Sequence, residues 1–137
     1  MNGRVRFRQI ARAALAADAR LQAVTQLSAW SGNIAASELP VLAVVTPQER
    51  IQPETLDEFE RSTLLQVVVK RLGDDDLEDV LDDDADAVET CVFLAMMAEG
   101  FRCLPEDLSI TINSDGEQRV GTAVVNFRLT WHRSIEG

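Results

Sequence analysis

An acid-rich segment with a helical apolar pattern constrains this chain more than any other feature. Between residues 74 and 89, ten of the sixteen side chains are carboxylates and none is basic. Apolar residues recur there at the spacing of a core-facing helical stripe, and most of the acids fall on the opposite side. Stretches with a β pattern flank the segment. The sequence therefore predicts an amphipathic helix with a charged, solvated face, which favours a scaffold or interaction protein over an enzyme with a pocket.

The apolar stripe of this predicted helix has two irregular features. Its core-facing residues are Leu77, Val80, Leu81, Ala85, Val88, Cys91, Val92 and Ala95. Asp84 interrupts this stripe. Residues 91–98 are apolar around the whole circumference, so we expect either another subunit or the chain's own sheet to cover them.

The length of 137 residues is that of one ordinary domain, and we expect a single domain over residues 1–137. The formal charge of −10 disfavours binding to a nucleic-acid backbone through a broad surface. Arginines dominate the first twenty residues and acids dominate after residue 49, so copies could attract one another head to tail. Alternatively, these arginines are the solvated face of the first helix.

Cysteine content and hydropathy bear on the compartment. Cys91 and Cys103 are the only cysteines, which favours a reduced, cytosolic protein. We expect no membrane span, because no apolar run reaches the roughly 18 residues required. We also expect no signal peptide, because the first residues lack an apolar core and a cleavage site.

The first half of the chain predicts one helix and two strands. Residues 4–17 have helical periodicity, and residues 21–30 could add a turn or two of helix before Ser31-Gly32-Asn33 ends it. Residues 39–45 form an apolar, β-branched run that we expect to be the first strand. Residues 46–60 are polar and contain two prolines, which indicates a long loop. Residues 61–71 resume the β pattern as an antiparallel partner.

The second half predicts a hairpin after the acidic helix. Gly100 is placed to end that helix in a left-handed conformation. Residues 109–113 alternate, residues 114–117 supply turn chemistry, and residues 120–132 alternate again. The fold class we predict is α+β, with a mainly antiparallel four-stranded sheet and helices packed on one face, in the order α-β-β-α-β-β.

No residue pattern predicts catalysis or cofactor binding. His132 is the only histidine and lies near the end of a predicted strand on its polar face, where it would be an exposed strand residue. The aspartates around residue 76 lead straight into a helix and do not follow the alternating order of a calcium loop. No nucleotide-binding, zinc or nucleophile motif occurs. We therefore predict a protein that is not an enzyme and has no metal or cofactor.

The order of these elements resembles the tail terminator family of long-tailed bacteriophages, the group of the lambda-like minor tail protein U. The resemblance covers nearly the whole chain. Its components are an alanine-rich first helix (residues 7–17), the strand entry at residues 39–44, the acid-rich segment 54–60, the valine-rich strand 64–70, the acidic helix, and a hairpin with Asp115-Gly116 leading into residues 121–131.

The resemblance implies a structural virion protein, assembled in the host cytoplasm. Such a protein forms a ring, of six subunits, that docks on the end of a completed tail tube and stops the polymerisation of tube subunits. The ring then offers a surface to the head-tail connector or neck protein. DNA would pass through its lumen without specific binding. The resemblance assigns no functional residue by position.

For the contacts within such a ring, the charge distribution suggests a hypothesis. Arg4, Arg8 and Arg12 would form one side of an interface between copies, and Asp79, Asp83 and Asp86 would form the other. Pairs of this kind set register more than affinity. Two alternatives come from other roles: a neck or head-completion protein of the same virion, or a small acidic protein that mimics DNA and binds or inhibits a basic partner.

Overall fold

The computed structural model describes residues 3–28, 34–115 and 118–134. Two α-helices and five strands make up most of these ranges. In chain order they are α1 (Gly3–Ala17), β1 (Thr25–Leu27), β2 (Val41–Pro53), β3 (Glu58–Gly73), α2 (Leu77–Ala98), β4 (Arg102–Asp115) and β5 (Gln118–Ser134). Short 3₁₀ turns at Ala19–Leu21 and Ala36–Glu38 complete the regular structure.

The strands form one five-stranded sheet in the order β1-β2-β3-β5-β4. β1 pairs with β2 in parallel, and the other three pairs are antiparallel. The α+β class agrees with the sequence analysis, but the predicted four-stranded antiparallel sheet in the order α-β-β-α-β-β is wrong. The error comes from β1, because a three-residue strand has too few positions to show a period in the sequence.

The region predicted as extra helical turns, residues 21–30, contains this additional strand. Leu21 ends a 3₁₀ turn, and Thr25–Leu27 then pairs with Val41, Leu42 and Ala43 of β2. Leu21 and Val24 are buried, which produced the apparent helical spacing. The predicted break at Ser31-Gly32-Asn33 lies outside the described residues.

The predicted loop at residues 46–60 is instead the far half of a long β2–β3 hairpin. Pairing continues from Gln48 opposite Leu64 to Pro53 opposite Phe59, so only four residues separate the strands. Pro47 lies where the register shifts between Val45 and Gln48, and Pro53 ends its strand. These are positions where a strand tolerates proline. The pattern is polar because this arm projects beyond the helices.

The predicted stripe of α2 is confirmed in outline. Leu77, Leu81, Ala85, Val88 and Val92 are buried, and the acids of the opposite side are exposed. The helix ends as predicted: Gly100 has φ +80°, and the N–H groups of Gly100 and Phe101 donate to the carbonyls of Met97 and Met96. This arrangement satisfies carbonyls that the helix end would leave unpaired.

Asp84 interrupts the stripe because it pairs with an arginine of the sheet. Its carboxylate accepts two hydrogen bonds from Arg71 of β3, one of them from Nη2 at 2.9 Å. Asp84 is only 4% exposed, so the guanidinium replaces the water that the carboxylate loses on folding. This bidentate pair fixes α2 against β3.

Both helices pack on the same face of the sheet and run antiparallel to each other. Cys91 of α2 contacts Ala14 of α1, whereas Arg6 near the start of α1 pairs with Glu99 just after α2. The predicted core face of β5 is confirmed, since Ala123, Val125, Phe127 and Leu129 are buried and Trp131 packs against the core. The final hairpin is also confirmed, although β4 begins at Arg102 and its turn residues Gly116 and Glu117 lie outside the described residues.

Candidate assembly surfaces

Arg4, the first of the three arginines predicted to form an interface, is partly exposed and belongs to a polar cluster in which most other members are more deeply buried. Its Nη1 is 2.7 Å from Oε2 of Glu49 in β2, and Arg61 of β3 donates to the same oxygen at 3.0 Å. The hydroxyl of Thr63 donates to Oε1 at 2.6 Å and accepts from Nε1 of Trp131 at 2.9 Å. We call these five residues the Glu49 cluster. It joins the start of α1 to the β2–β3 arm.

The charge state of Glu49 follows from this environment. Burial acts to raise the pKa of its carboxyl, but hydrogen bonds from Thr63 and Arg61 and the positive charge of Arg4 act against it, so that the pKa lies below its ordinary value. Glu49 is therefore ionised at neutral pH. Its charge compensates Arg61, which is 8% exposed.

Arg8 and Arg12 occupy a different environment on the same side of α1. Arg8 donates to the hydroxyl of Thr46, and Nη2 of Arg12 donates to the carbonyl of Val44 at 3.2 Å. Neither forms an ion pair with a carboxylate among the described residues. Nε of Arg12 is buried and has no hydrogen-bond partner there. Within the described ranges, both guanidinium groups thus lack a neighbouring anion.

These two arginines line a groove that we call the arginine groove. It lies between α1 and β2, where β2 continues beyond the end of β1. Its lining includes Arg8, Arg12, Ser28, Val45, Thr46 and Pro47.

Asp79, Asp83 and Asp86, the other side of the predicted interface, are exposed on α2. None makes an ion pair with a described residue, and Arg20 only attracts Asp86 weakly. With about 3.6 residues per turn, the same side of the helix continues through Thr90 to Leu94 and Met97. Those two apolar side chains are 58% and 56% exposed. We call the side from Asp79 to Met97 the outer face of α2.

The exposure of the outer face of α2 shows how far the chain's own sheet covers the apolar residues 91–98. The sheet buries Val92 and Met96, but it leaves Leu94 and Met97 uncovered. The chain's own sheet therefore covers only one side of this apolar segment. Exposed apolar side chains on adjacent turns are typical of a contact surface.

The edge strand β4 is a second exposed apolar region. Leu104, Leu108 and Ile112 are 53%, 48% and 38% exposed. A groove between β4 and α2 is lined by Phe93, Leu94 and Pro105 together with the acid Glu89. β4 has fourteen residues and no outer partner among the described strands. Long unpaired edges of this kind are available for pairing with another chain.

The residues considered for catalysis or metal binding, which are the histidine, the cysteines and the acids, do not form a common site among the described residues. Nδ1 of His132 is 3.2 Å from Oε1 of Glu54 at the exposed end of the β2–β3 arm. Within the described ranges, no three histidine, cysteine or acidic side chains converge on a metal position. Burial raises the pKa of the Cys103 thiol to about 11, and burial with the charge of Asp18 raises that of Cys91. Neither thiol is an activated nucleophile.

No helix among the described residues combines the length and the apolar character that crossing a bilayer requires.

Sequence reasoning missed the Glu49 cluster completely. Glu49 and Arg61 were assigned to a loop and a strand start, and Arg4 lies 45 residues from its partner. Of the buried polar residues, only Asp84 could be recognised in the sequence, because a carboxylate within an apolar stripe requires a buried partner. Thr63 and Trp131 gave none.

Comparisons with known proteins add no assignment: no family model matches the sequence, and no curated protein matches it significantly.

Proposed function

We propose that this protein is a structural component of a phage virion, a tail terminator that assembles as a ring of six subunits on the completed tail tube. In this role it stops the addition of tube subunits and presents a surface to the head-tail connector or neck protein. DNA passes through the lumen without specific contacts.

The observation that carries the proposal is the uncovered outer face of α2. Two apolar side chains remain exposed on a helix whose opposite side is packed against the sheet, and they follow three carboxylates that have no ion-pair partner among the described residues. A monomer gains nothing by exposing Leu94 and Met97, whereas an assembling subunit buries them.

The positions of the charged surfaces also support a ring. The arginine groove lies beside β2, and the outer face of α2 lies above the β5 side of the sheet, so the two surfaces are distinct. Contacts between two distinct surfaces are heterologous, and they close into rings when the rotation between neighbours allows it. The fold thus suits cyclic assembly more than a two-fold dimer.

The test of this role is a tube-capping experiment. Purified protein is added to polymerising tail-tube protein of the same virion, and tube lengths are measured by negative-stain electron microscopy. We expect elongation to stop and a ring to appear at one tube end. Tubes that lengthen at the rate seen without the protein contradict the terminator role, and binding to connectors but not to tubes indicates the neck role instead.

One observation favours a different class of function. The exposed acids of α2 resemble a row of phosphates, as a DNA mimic requires. A mimic would be a monomer or dimer that competes with DNA for a basic protein. Displacement of DNA from a basic partner, without any ring or capped tube, would support that function.

A further inference from the structure

We infer that the outer face of α2 docks into the arginine groove of a second copy of this chain. The inference deepens the proposed function and rests on it, because it specifies how neighbouring subunits of the ring join. It also revises the interface hypothesis, since Arg4 belongs to the Glu49 cluster and only Arg8 and Arg12 are available.

Among the residues that the structure describes, no carboxylate pairs with the arginines of the arginine groove. Arg61 and Arg71, whose side chains are 9% and 19% exposed, each contact a carboxylate. Arg8 and Arg12 are half-buried and contact only neutral oxygens. A cation that loses water without gaining an anion raises the free energy of the folded chain. An incoming carboxylate would relieve that cost at both positions.

The outer face of α2 supplies anions at a suitable spacing. Arg8 and Arg12 are one helical turn apart, a rise of about 6 Å, and Asp83 and Asp86 are separated by a rise of about 4.5 Å. Flexible arginine side chains can adjust for the difference. Neither aspartate has an ion-pair partner among the described residues.

Apolar side chains accompany the charges on both surfaces. Leu94 and Met97 follow the acids along α2, and Val45 and Pro47 lie beside the arginines in the groove. Charge pairs fix the register, and apolar burial supplies affinity.

A nucleic acid is a less suitable occupant of the groove. The chain has a formal charge of −10, and a phosphate backbone would also meet its surface acids. A second copy carries the same net charge, but it can place Asp83 and Asp86 against the arginines and bury Leu94 and Met97 at the same time. The charge pattern therefore favours self-association.

The test uses charge reversal and its rescue. One variant carries Arg8→Glu with Arg12→Glu, a second carries Asp83→Arg with Asp86→Arg, and a third carries all four changes. A matched control carries Glu58→Arg with Glu78→Arg, which reverses two exposed charges outside both surfaces. Association is measured by sedimentation at concentrations up to about 1 mM, which detects dissociation constants in that range.

We expect each two-residue variant to raise the dissociation constant at least about 100-fold, because attraction becomes repulsion. The four-residue variant should recover most of the wild-type association, and the control should match wild type. Thermal unfolding of each variant separates lost association from lost folding. Asp83 and Asp86 form no ion pair with a described residue, and Asp86 has only a weak attraction to the exposed Arg20, so this variant should fold and keep the test valid if the arginine variant unfolds.

If the wild type assembles and none of the charge reversals weakens that assembly, the inference is overturned, but the proposed ring is not. Wild-type chains that stay monomeric up to about 1 mM overturn it as well, and the tube-capping experiment then decides the terminator role independently. A third outcome is that duplex DNA binds, that the arginine variant abolishes this binding, and that self-association is unchanged. The ligand of the groove would then be a phosphate, and the inference would be overturned as well.

Discussion

Removing the charge of Glu49 should destabilise the fold more than any comparable change at the surface. The substitution Glu49→Gln keeps the size of the side chain and removes the anion that compensates Arg4 and Arg61. Arg61 has a side chain that is 9% exposed, so solvent cannot replace the lost charge. Arg4 is 37% exposed and can regain water.

The magnitude follows from these exposures. Breaking a buried ion pair by removing one partner costs about 3–5 kcal/mol. The glutamine oxygen still accepts one hydrogen bond, and Arg61 keeps its position 5.9 Å from the ring centre of Trp131, a contact worth about 0.5–1 kcal/mol. We therefore expect a loss of about 2–4 kcal/mol in the free energy of unfolding.

Urea denaturation followed by circular dichroism measures this loss. Glu58→Gln is the matched control, because Glu58 is exposed on the same hairpin and should change stability by less than about 0.5 kcal/mol. Arg4→Gln should cost about 1 kcal/mol or less, since Glu49 keeps Arg61. Equal stabilities of Glu49→Gln and Glu58→Gln would refute the role assigned to the cluster.

The same carboxyl predicts a dependence on pH. The pKa of Glu49 in the folded state lies below its ordinary value, so its contribution to stability is complete above that ordinary value and is lost as pH falls through the folded pKa. The stability difference between wild type and Glu49→Gln should thus be constant near neutral pH and shrink below roughly pH 4. A stability difference between wild type and Glu49→Gln that increases as the pH falls would contradict the predicted direction of this pH dependence.

Three further predictions test other parts of the structure. Asp84→Asn should cost about 2–4 kcal/mol in urea denaturation by breaking the pair with Arg71, whereas its exposed neighbour Asp83→Asn should cost less than about 0.5 kcal/mol. Gly100→Ala should cost about 1–2 kcal/mol, because its φ of +80° is unfavourable for alanine and no heavy atom lies near the added methyl; an unchanged melting temperature would contradict this. Cys103, with its pKa raised to about 11, should react with a disulfide reagent at pH 8 only after denaturant is added, and rapid labelling of the native protein would show that it is accessible.

The sequence predicted those elements whose periodicity arises within the element itself. Residues 4–17, the acidic helix and the last strand, β5, each bury one side over most of their length, so their apolar residues recur at a recognisable period. β1 depends on pairing with β2, and three residues carry no period. The β2–β3 arm lies beyond the core, where polar residues on both sides of a strand look like a loop.

The exposure of the candidate surfaces could be predicted in part, for a related reason, whereas their role in an interface stays a prediction. Exposed aspartates on α2 follow from the helical pattern alone, and so does the apolar segment at residues 91–98. The separation of Arg4 from Arg8 and Arg12 does not, because it depends on which residues of β2 lie under each turn of α1. Contacts between residues distant in the chain leave no trace in local periodicity.

The mass of the purified protein in solution, measured by light scattering at low and moderate salt, tests the central claim of cyclic self-assembly most directly. The account predicts a discrete particle of about six copies of the 15.1 kDa chain. Its dissociation as salt rises would show that the charged surfaces hold it together. A particle of one chain under every condition, or a two-fold dimer insensitive to salt, would contradict the account.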